Sequence, residues 1–462
     1  MLEYMTEKTR IEYRPQPYAD YHTDLPGAKL GYRMHEPVEV DCDDLGKDYF
    51  TLQPTHPIAM LFGRIAWVIS ESYPIMTRAP GWRKVLMKMF MRYYFDFPHR
   101  FRTSRDRRLT MGNALLGRLR MSANDRGIPV WLNAPMIDLI EQDGKVQGIV
   151  VERNGKQETI MARRGVILGA GGFERSPEMR KAHHGVDSTF TASIGKNTGD
   201  AQRAGEKIGA KLDIMDTAWW APGYRFDGDD RAYPMFVERA LPHCMIVNQN
   251  GDRYMNEAAS YHVTGKMMAD ANQDENPTLP SWFVFDASFR AKYALGPILP
   301  GNFMPDWRLP KKVKDKLIKA SSIAELAQKI DIGEDKLNTT INKLNGYADS
   351  GVDEDFNRGG FDYDRYYGDP AAQPNPCLGR IETGPFYAIA IHAADIGTKG
   401  GLLTDVNAQV VDQDEKPIAG LYAVGNSASS VMGRTYPGAG SVLGPAMTFG
   451  YLAGRHAMGA NS

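Results

Sequence analysis

Apolar positions recur along this chain in two rhythms. Strand-like runs fall at 145–152, KVQGIVVE, and at 165–168, and Leu421, Tyr422, Ala423 and Val424 form a short run of the buried-strand kind. A 3.6-residue rhythm sets Trp82, Val85, Leu86, Met89, Phe90 and Tyr93 on one helical face, with Arg83, Lys84, Met87, Lys88, Met91 and Arg92 opposite. Residues 199–209 read as a further helix, and Ser322 with Glu325 make a capping box before Leu326. In 245–255, MIVNQNGDRYM, Asn250 and Gly251 stand between two apolar-containing runs, which predicts a β-hairpin.

These elements divide the chain into three stretches. Residues 1–215 mix strands and helices, 216–385 are richer in proline and aromatics with a helical insert, and 386–462 return to strands and one last helix. No internal repeat or low-complexity tract interrupts them. A length of 462 residues with 42% hydrophobic positions suits two domains with sizeable cores. Net charge of −1 gives no global attraction to nucleic acid. Cys42, Cys244 and Cys377 are too scattered for a metal motif, and their odd number argues against a disulfide framework, so a reducing cytoplasm is the expected location. The most apolar early stretch, 57–70, is short and interrupted by Arg64, which excludes it as a membrane span.

Candidate chemistry concentrates in 420–456, GLYAVGNSASSVMGRTYPGAGSVLGPAMTFGYLAGRH. Gly425 and Asn426 end the strand run with a turn where backbone can approach a ligand closely. Gly440, Ser441 and Gly444 lead into a helix for which Pro445 suits the first position. Such a helix start offers unpaired N–H groups and a partial positive charge, as a reduced flavin requires. By pattern alone, the same segment is equally an ordinary strand, loop and helix with glycines for tight packing.

The segment resembles the C-terminal flavin-binding signature of the fumarate reductase and 3-ketosteroid dehydrogenase superfamily. TYPGAG followed by GPAMTFGYLAG resembles the FAD-dependent 3-ketosteroid Δ1-dehydrogenases in particular, and GVILGAGGFER at 165–175, NTGDAQRA at 197–204 and 400–421 extend the similarity over nearly the whole chain. The resemblance implies an α/β, Rossmann-like FAD-binding domain, discontinuous over 1–215 and 386–462, with an inserted α+β substrate domain at 216–385. It implies one departure: the family's opening strand, GxGxxG turn and helix, with its acidic residue for the adenosine ribose, is not found in these residues, so the domain is expected to be N-terminally incomplete.

Site residues follow from the same resemblance. FAD would meet Ala170, Gly171 and Gly172 by backbone, Asn197, Thr198 and Asp200 on its ribityl or ring side, Gly425 and Asn426 near the pyrophosphate, and Ser441, Val442 and Leu443 under the ring, with Met136 toward adenine. Tyr436 and the Gly440 N–H would polarise the steroid C3 ketone, Tyr261 would take the C2 proton, and Tyr21 would relay it. Tyr18 would line the pocket, and Tyr293 is the competing base or a substrate contact. Without the resemblance Tyr261 is equally a packed tyrosine with its hydroxyl on a backbone carbonyl, and 22 tyrosines weaken any single choice.

The implied reaction is 1,2-desaturation of a 3-ketosteroid, with proton loss from C2 and hydride transfer from C1 to flavin N5, the final electron acceptor being unknown. Rival readings are a 3-ketosteroid Δ4-(5α)-dehydrogenase, a fumarate-reductase-type enzyme using His392 and Arg434, and an inactive fragment or steroid-binding protein. Between Arg78 and Arg108, ten lysines and arginines face Asp96 and Asp106. This basic amphipathic stretch over 82–108 either rests on an anionic membrane or buries its apolar face in its own protein.

Overall fold

A computed structural model describes residues 1–186 and 189–459; 460–462, the end of the expected C-terminal stretch, lie outside the described residues. Two six-stranded sheets organise the chain. In the first, the strand Pro417–Ala423 pairs in parallel with Val166–Leu168 and Lys145–Arg153, the hairpin partners of the latter being Met136–Gln142 and Lys156–Met161. All three runs expected as strands from their apolar rhythm meet in this sheet, Pro417–Ala423 pairing with each of the other two. Leu139, Val146, Leu168, Leu421 and Ala423 form the core of this sheet, against the helix Asp200–Lys207.

The second sheet is antiparallel throughout and is built around the 13-residue strand Phe386–Thr398. Ala218–Tyr224 flanks it on one side, and Ser281–Phe285 on the other, with Cys244–Val247 beyond. Alternation along Phe386–Thr398 buries nearly every position because aromatic and helical layers cover both faces. This strand carries the second sheet 13 residues beyond the boundary at 385 expected from composition. Its end is tied to the first unit by a fully buried Arg180–Asp395 pair at 2.9 Å, where burial pushes the Asp395 carboxyl up to about 6.

Three local expectations change. The turn at Asn250–Gly251 forms, with Gly251 at φ +86°, but no strand returns from it. Arg253 instead turns inward to Glu257 and Asp353, and Ser281–Phe285 takes the pairing edge of Cys244–Val247. The Ser322 hydroxyl caps the Glu325 N–H at 3.1 Å, while the Glu325 carboxylate reaches back to Ser321 rather than to Ser322. The last helix spans Leu443–Ala457, so Pro445 occupies its third position, still within the turn whose N–H groups lack intrahelical partners.

The helix Trp82–Tyr94 forms where the rhythm predicts it. Its apolar face packs on Leu61, Ile65, Trp67 and Ile75, so that face turns toward the protein. Exposed apolar side chains lie elsewhere, at Met87, Met91, Tyr94, Phe95, Phe97 and Phe101. Among the described residues, no helix is long and apolar enough to cross a membrane.

Candidate active site

Four loops and helices from distant parts of the chain converge on one tyrosine cluster. Tyr261 opens the helix Tyr261–Asp270, whose cap Ser260 accepts from the Val263 N–H. Capping fixes the first turn and therefore the direction of the Tyr261 ring. Tyr436 is carried by the loop before the last helix, and Tyr21 by an N-terminal loop whose N–H donates to the Pro437 carbonyl at 3.0 Å. That single backbone bond sets the Tyr21 loop against the Tyr436 loop.

The hydroxyls of Tyr21 and Tyr261 share a hydrogen bond of 2.8 Å. The Tyr436 ring centre lies 5.0 Å from that of Tyr21 and 5.6 Å from that of Tyr261. All three tyrosines are buried. Burial raises each phenol above its ordinary value; for Tyr21 the neighbouring tyrosines add to the rise, and for Tyr436 hydrogen bonding to Tyr261 and Tyr21 opposes it. Tyr18 stands at the edge, its hydroxyl against that of Tyr367 and its ring 6.3 Å from Tyr21. Tyr293 does not join the cluster: its hydroxyl donates to Asp369 at 2.5 Å and its ring packs on Phe289.

Several residues of this site carry no sequence signal. Tyr363 lies 5.2 Å from Tyr21, ring to ring. Arg239 is fully buried, donates to the carbonyls of Met235, Glu257 and Ala259, and places its charge within reach of Tyr363 and Tyr261. Trp219 meets the Tyr436 ring edge-on at 4.8 Å and donates through Nε1 to Asn426 at 3.2 Å, which connects the cluster to the glycine turn. Lys399 is buried, lies 4.3 Å over the Trp219 ring and donates to the Thr435 carbonyl beside Tyr436. Burial pulls the Lys399 ammonium down to about 7, with Arg434 acting in the same direction. No motif flags an isolated tryptophan or lysine; only the fold brings them here.

Beside the cluster lies a cleft of about 810 Å³ lined by Met432, Ala439, Gly440, Ser441, Leu443 and Pro445 among others, and a hollow of about 250 Å³ lined by Gly425, Asn426, Ser441, Val442 and Pro445 shares its wall. Gly440 has φ +96° with open space where a Cβ would stand, and Gly444 is equally open. Leu443 at 51% and Val431 at 62% exposure leave apolar surface facing the cleft. Bare glycine backbone, apolar walls and a helix N-terminus are what a flavin ring and its pyrophosphate require, so these residues fit FAD.

Gly171 and Gly172 have a different reason to be glycine. A Cβ at Gly172 would lie 2.0 Å from the Thr398 hydroxyl, and one at Gly171 would lie 2.7 Å from Asn197 Oδ1. Their missing side chains make room for protein, while Ala170 next to them is exposed. Asn197 donates to Glu174 at 2.6 Å, and Thr198 with Arg203 holds Asp200 at the surface. Met136 begins its strand opposite Val151. His392 stacks on Phe190 at 3.7 Å and Arg434 pairs with Asp216, so the two are engaged apart from the tyrosines.

The chain matches the FAD binding domain family over residues 83–443, and it belongs to that class of flavoproteins. Within the class, it is 39% identical to a 3-oxosteroid 1-dehydrogenase of Mycolicibacterium smegmatis over 94% of this chain and 77% of the relative. It is 34% identical to a 4-oxocyclohex-2-ene-1-carboxylate 5-dehydrogenase of Sinomonas cyclohexanicum over 98% of this chain and 78% of that one. The crystal structure of 3-ketosteroid delta1-dehydrogenase from Sterolibacterium denitrificans, in complex with 1,4-androstadiene-3,17-dione, superposes with a TM-score of 0.96 at 40% identity, covering 100% of this chain and 83% of that one. This chain belongs to the 3-oxosteroid 1-dehydrogenase family.

Proposed function

We propose that this protein is an FAD-dependent oxidoreductase that desaturates the 1,2-bond of 3-ketosteroids. The observation that carries the assignment of roles is the 2.8 Å bond between the Tyr21 and Tyr261 hydroxyls, packed against Tyr436. Tyr436 and the Gly440 N–H donate to the C3 ketone oxygen, which draws charge from C2 and acidifies its proton. Tyr261 gives its hydroxyl proton along the hydrogen bond to Tyr21, which releases its own to water, and the Tyr261 phenolate so formed takes the C2 proton. FAD, when bound, supplies the acceptor for the hydride that leaves C1.

A buried phenol that keeps its proton cannot take a proton from carbon; only its phenolate can. Desolvation raises the Tyr261 phenol well above its ordinary value, so its phenolate, once formed, is a strong base in a dry site. The buried Arg239 guanidinium lies within electrostatic reach of Tyr261 and favours that charge. Gly425, Asn426, Ser441, Val442 and Leu443 would hold the cofactor along the cleft and its adjoining hollow, with the exposed Ala170 a further contact. Incubating the purified yellow protein with 4-androstene-3,17-dione and an artificial electron acceptor should yield 1,4-androstadiene-3,17-dione. Conversion of 4-oxocyclohexanecarboxylate alone would transfer the protein to the small-ring branch of its relatives, and a colourless, inactive protein would defeat the enzymatic reading.

A membrane contact through 82–108 is supported by the outward face rather than the expected one. Phe97 and Phe101, the latter 89% exposed, stand beside Met87, Met91, Tyr94 and Phe95, interleaved with exposed Arg83, Lys84, Lys88 and Arg102. Aromatic side chains among cations suit the interface of an anionic bilayer. Phe97→Asp with Phe101→Asp should abolish sedimentation with phosphatidylserine vesicles while leaving turnover of dissolved steroid intact.

A further inference from the structure

A second cavity, of about 440 Å³, lies between the helix Trp82–Tyr94 and the loop that follows Tyr293. Its walls are Leu61, Trp67, Ile75, Met76, Leu86 and Leu299, and none of Tyr18, Tyr21, Tyr261 or Tyr436 lines it. The volume falls in the range of sites that enclose a small organic ligand. Phe62 and Phe303 stand at its rim, both largely exposed.

One charged side chain, Arg78, lines this mostly apolar space, with Tyr233 and two tryptophans among the other walls. Arg78 donates through Nε at 3.0 Å and Nη2 at 2.6 Å to the Lys292 carbonyl, and its guanidinium lies 4.2 Å over the Trp82 ring. Its third nitrogen, Nη1, makes no hydrogen bond to another described residue. Arg78 is thus anchored through two nitrogens and keeps a third as a donor, within walls that are mostly apolar.

The cavity shares a wall with the reaction site. The short helix Ile69–Thr77 presents Ile75 and Met76 to the cavity, while its Tyr73 stacks on Tyr366 at 4.5 Å, and Tyr366 packs on Tyr18 at 5.3 Å. Met76 and Met304 also pack on the core cluster that contains Tyr21, Tyr261 and Tyr436. A molecule held here sits one helix away from the phenols, and on its other side lies the helix that carries the exposed Met87 and Met91.

We propose that this cavity is a second binding site for a neutral steroid-sized lipid bearing a hydrogen-bond acceptor at one end, its oxygen on Arg78 and its rings between Trp67, Leu86 and Leu299. The assignment rests on the steroid activity proposed above. Rigid alicyclic rings lose little freedom on entering such a site, and an acceptor at one end meets the charged Arg78 donor.

The test is equilibrium dialysis of the FAD-loaded protein against 1,4-androstadiene-3,17-dione, which needs no electron acceptor. Two molecules per chain are expected for the parent, and one for Met60→Trp, which fills the cavity, with turnover retained. Phe303→Arg, which sets a charge at the rim, is expected to give one as well and guards against misfolding of the first variant. A single molecule in the parent with normal turnover overturns the second site and leaves the proposed reaction standing. Absent turnover, by contrast, removes the reaction itself. Oleate displacing the second molecule at lower concentration than the steroid does would make the cavity an acyl-chain site and overturn the assignment.

Discussion

The tyrosine cluster and the glycine cleft adjoin each other and are built on opposite terms. In the cluster, large side chains exclude water from three phenols, the most exposed of them at 6%, whereas in the cleft the backbone is bare and Gly440 has nothing within 4 Å of where a side chain would begin. A proton-transfer device gains from desolvation because each charge then acts in a low dielectric. A cofactor cradle gains from open, pre-shaped backbone that a planar ring can approach. One loop, 436–443, serves both, with Tyr436 turned inward and Gly440 outward.

Substitutions can separate the two halves. Tyr261→Phe should reduce kcat by roughly two to four orders of magnitude, the usual size of a lost general base, with FAD absorbance unchanged. Tyr436→Phe should lower kcat by about 10²- to 10³-fold, as for a lost oxyanion donor. If either variant instead loses flavin, the division between cluster and cleft fails.

Gly440→Val reverses the pattern. A β-branched residue at φ +96° is strained by about 1–3 kcal/mol and projects into the cleft, so flavin occupancy should fall while thermal stability of the apoprotein changes modestly. Gly172→Ala is the control: its Cβ would meet Thr398 at 2.0 Å, so it should lower Tm before it affects the flavin.

The smallest effect sharpens the joint between the halves. Lys399 titrates near 7 in the folded protein against an ordinary 10.5. The unfolded chain therefore binds more protons between these values, and stability should rise with pH across that interval. Lys399→Met should remove this slope from urea midpoints measured between pH 7 and 10.

How much of this was readable beforehand differs between the two regions. One wall of the cleft was legible because its parts are contiguous: strand, turn, glycine loop and helix follow one another from 417 to 457, whereas the opposite wall, from Tyr13, Arg33, His35 and Leu115, is brought there only by the fold. The choice of Tyr21, Tyr261 and Tyr436 came from resemblance, and the structure brings all three together. Tyr293 had the same local credentials as Tyr261 but is held by Asp369, a partner 76 residues away that no pattern announces. The hairpin at Asn250–Gly251 failed for a related reason, since Arg253 is drawn to Asp353 by a buried ion pair and not by strand propensity. Arg239, Lys399 and Trp219 were invisible because each acts through tertiary neighbours.

The bond from the Tyr21 N–H to the Pro437 carbonyl joins segments near opposite ends of the chain. Closing so large a loop is entropically late in folding. A nascent or C-terminally shortened molecule would thus already own its sheets and most of its core while still lacking a competent proton relay.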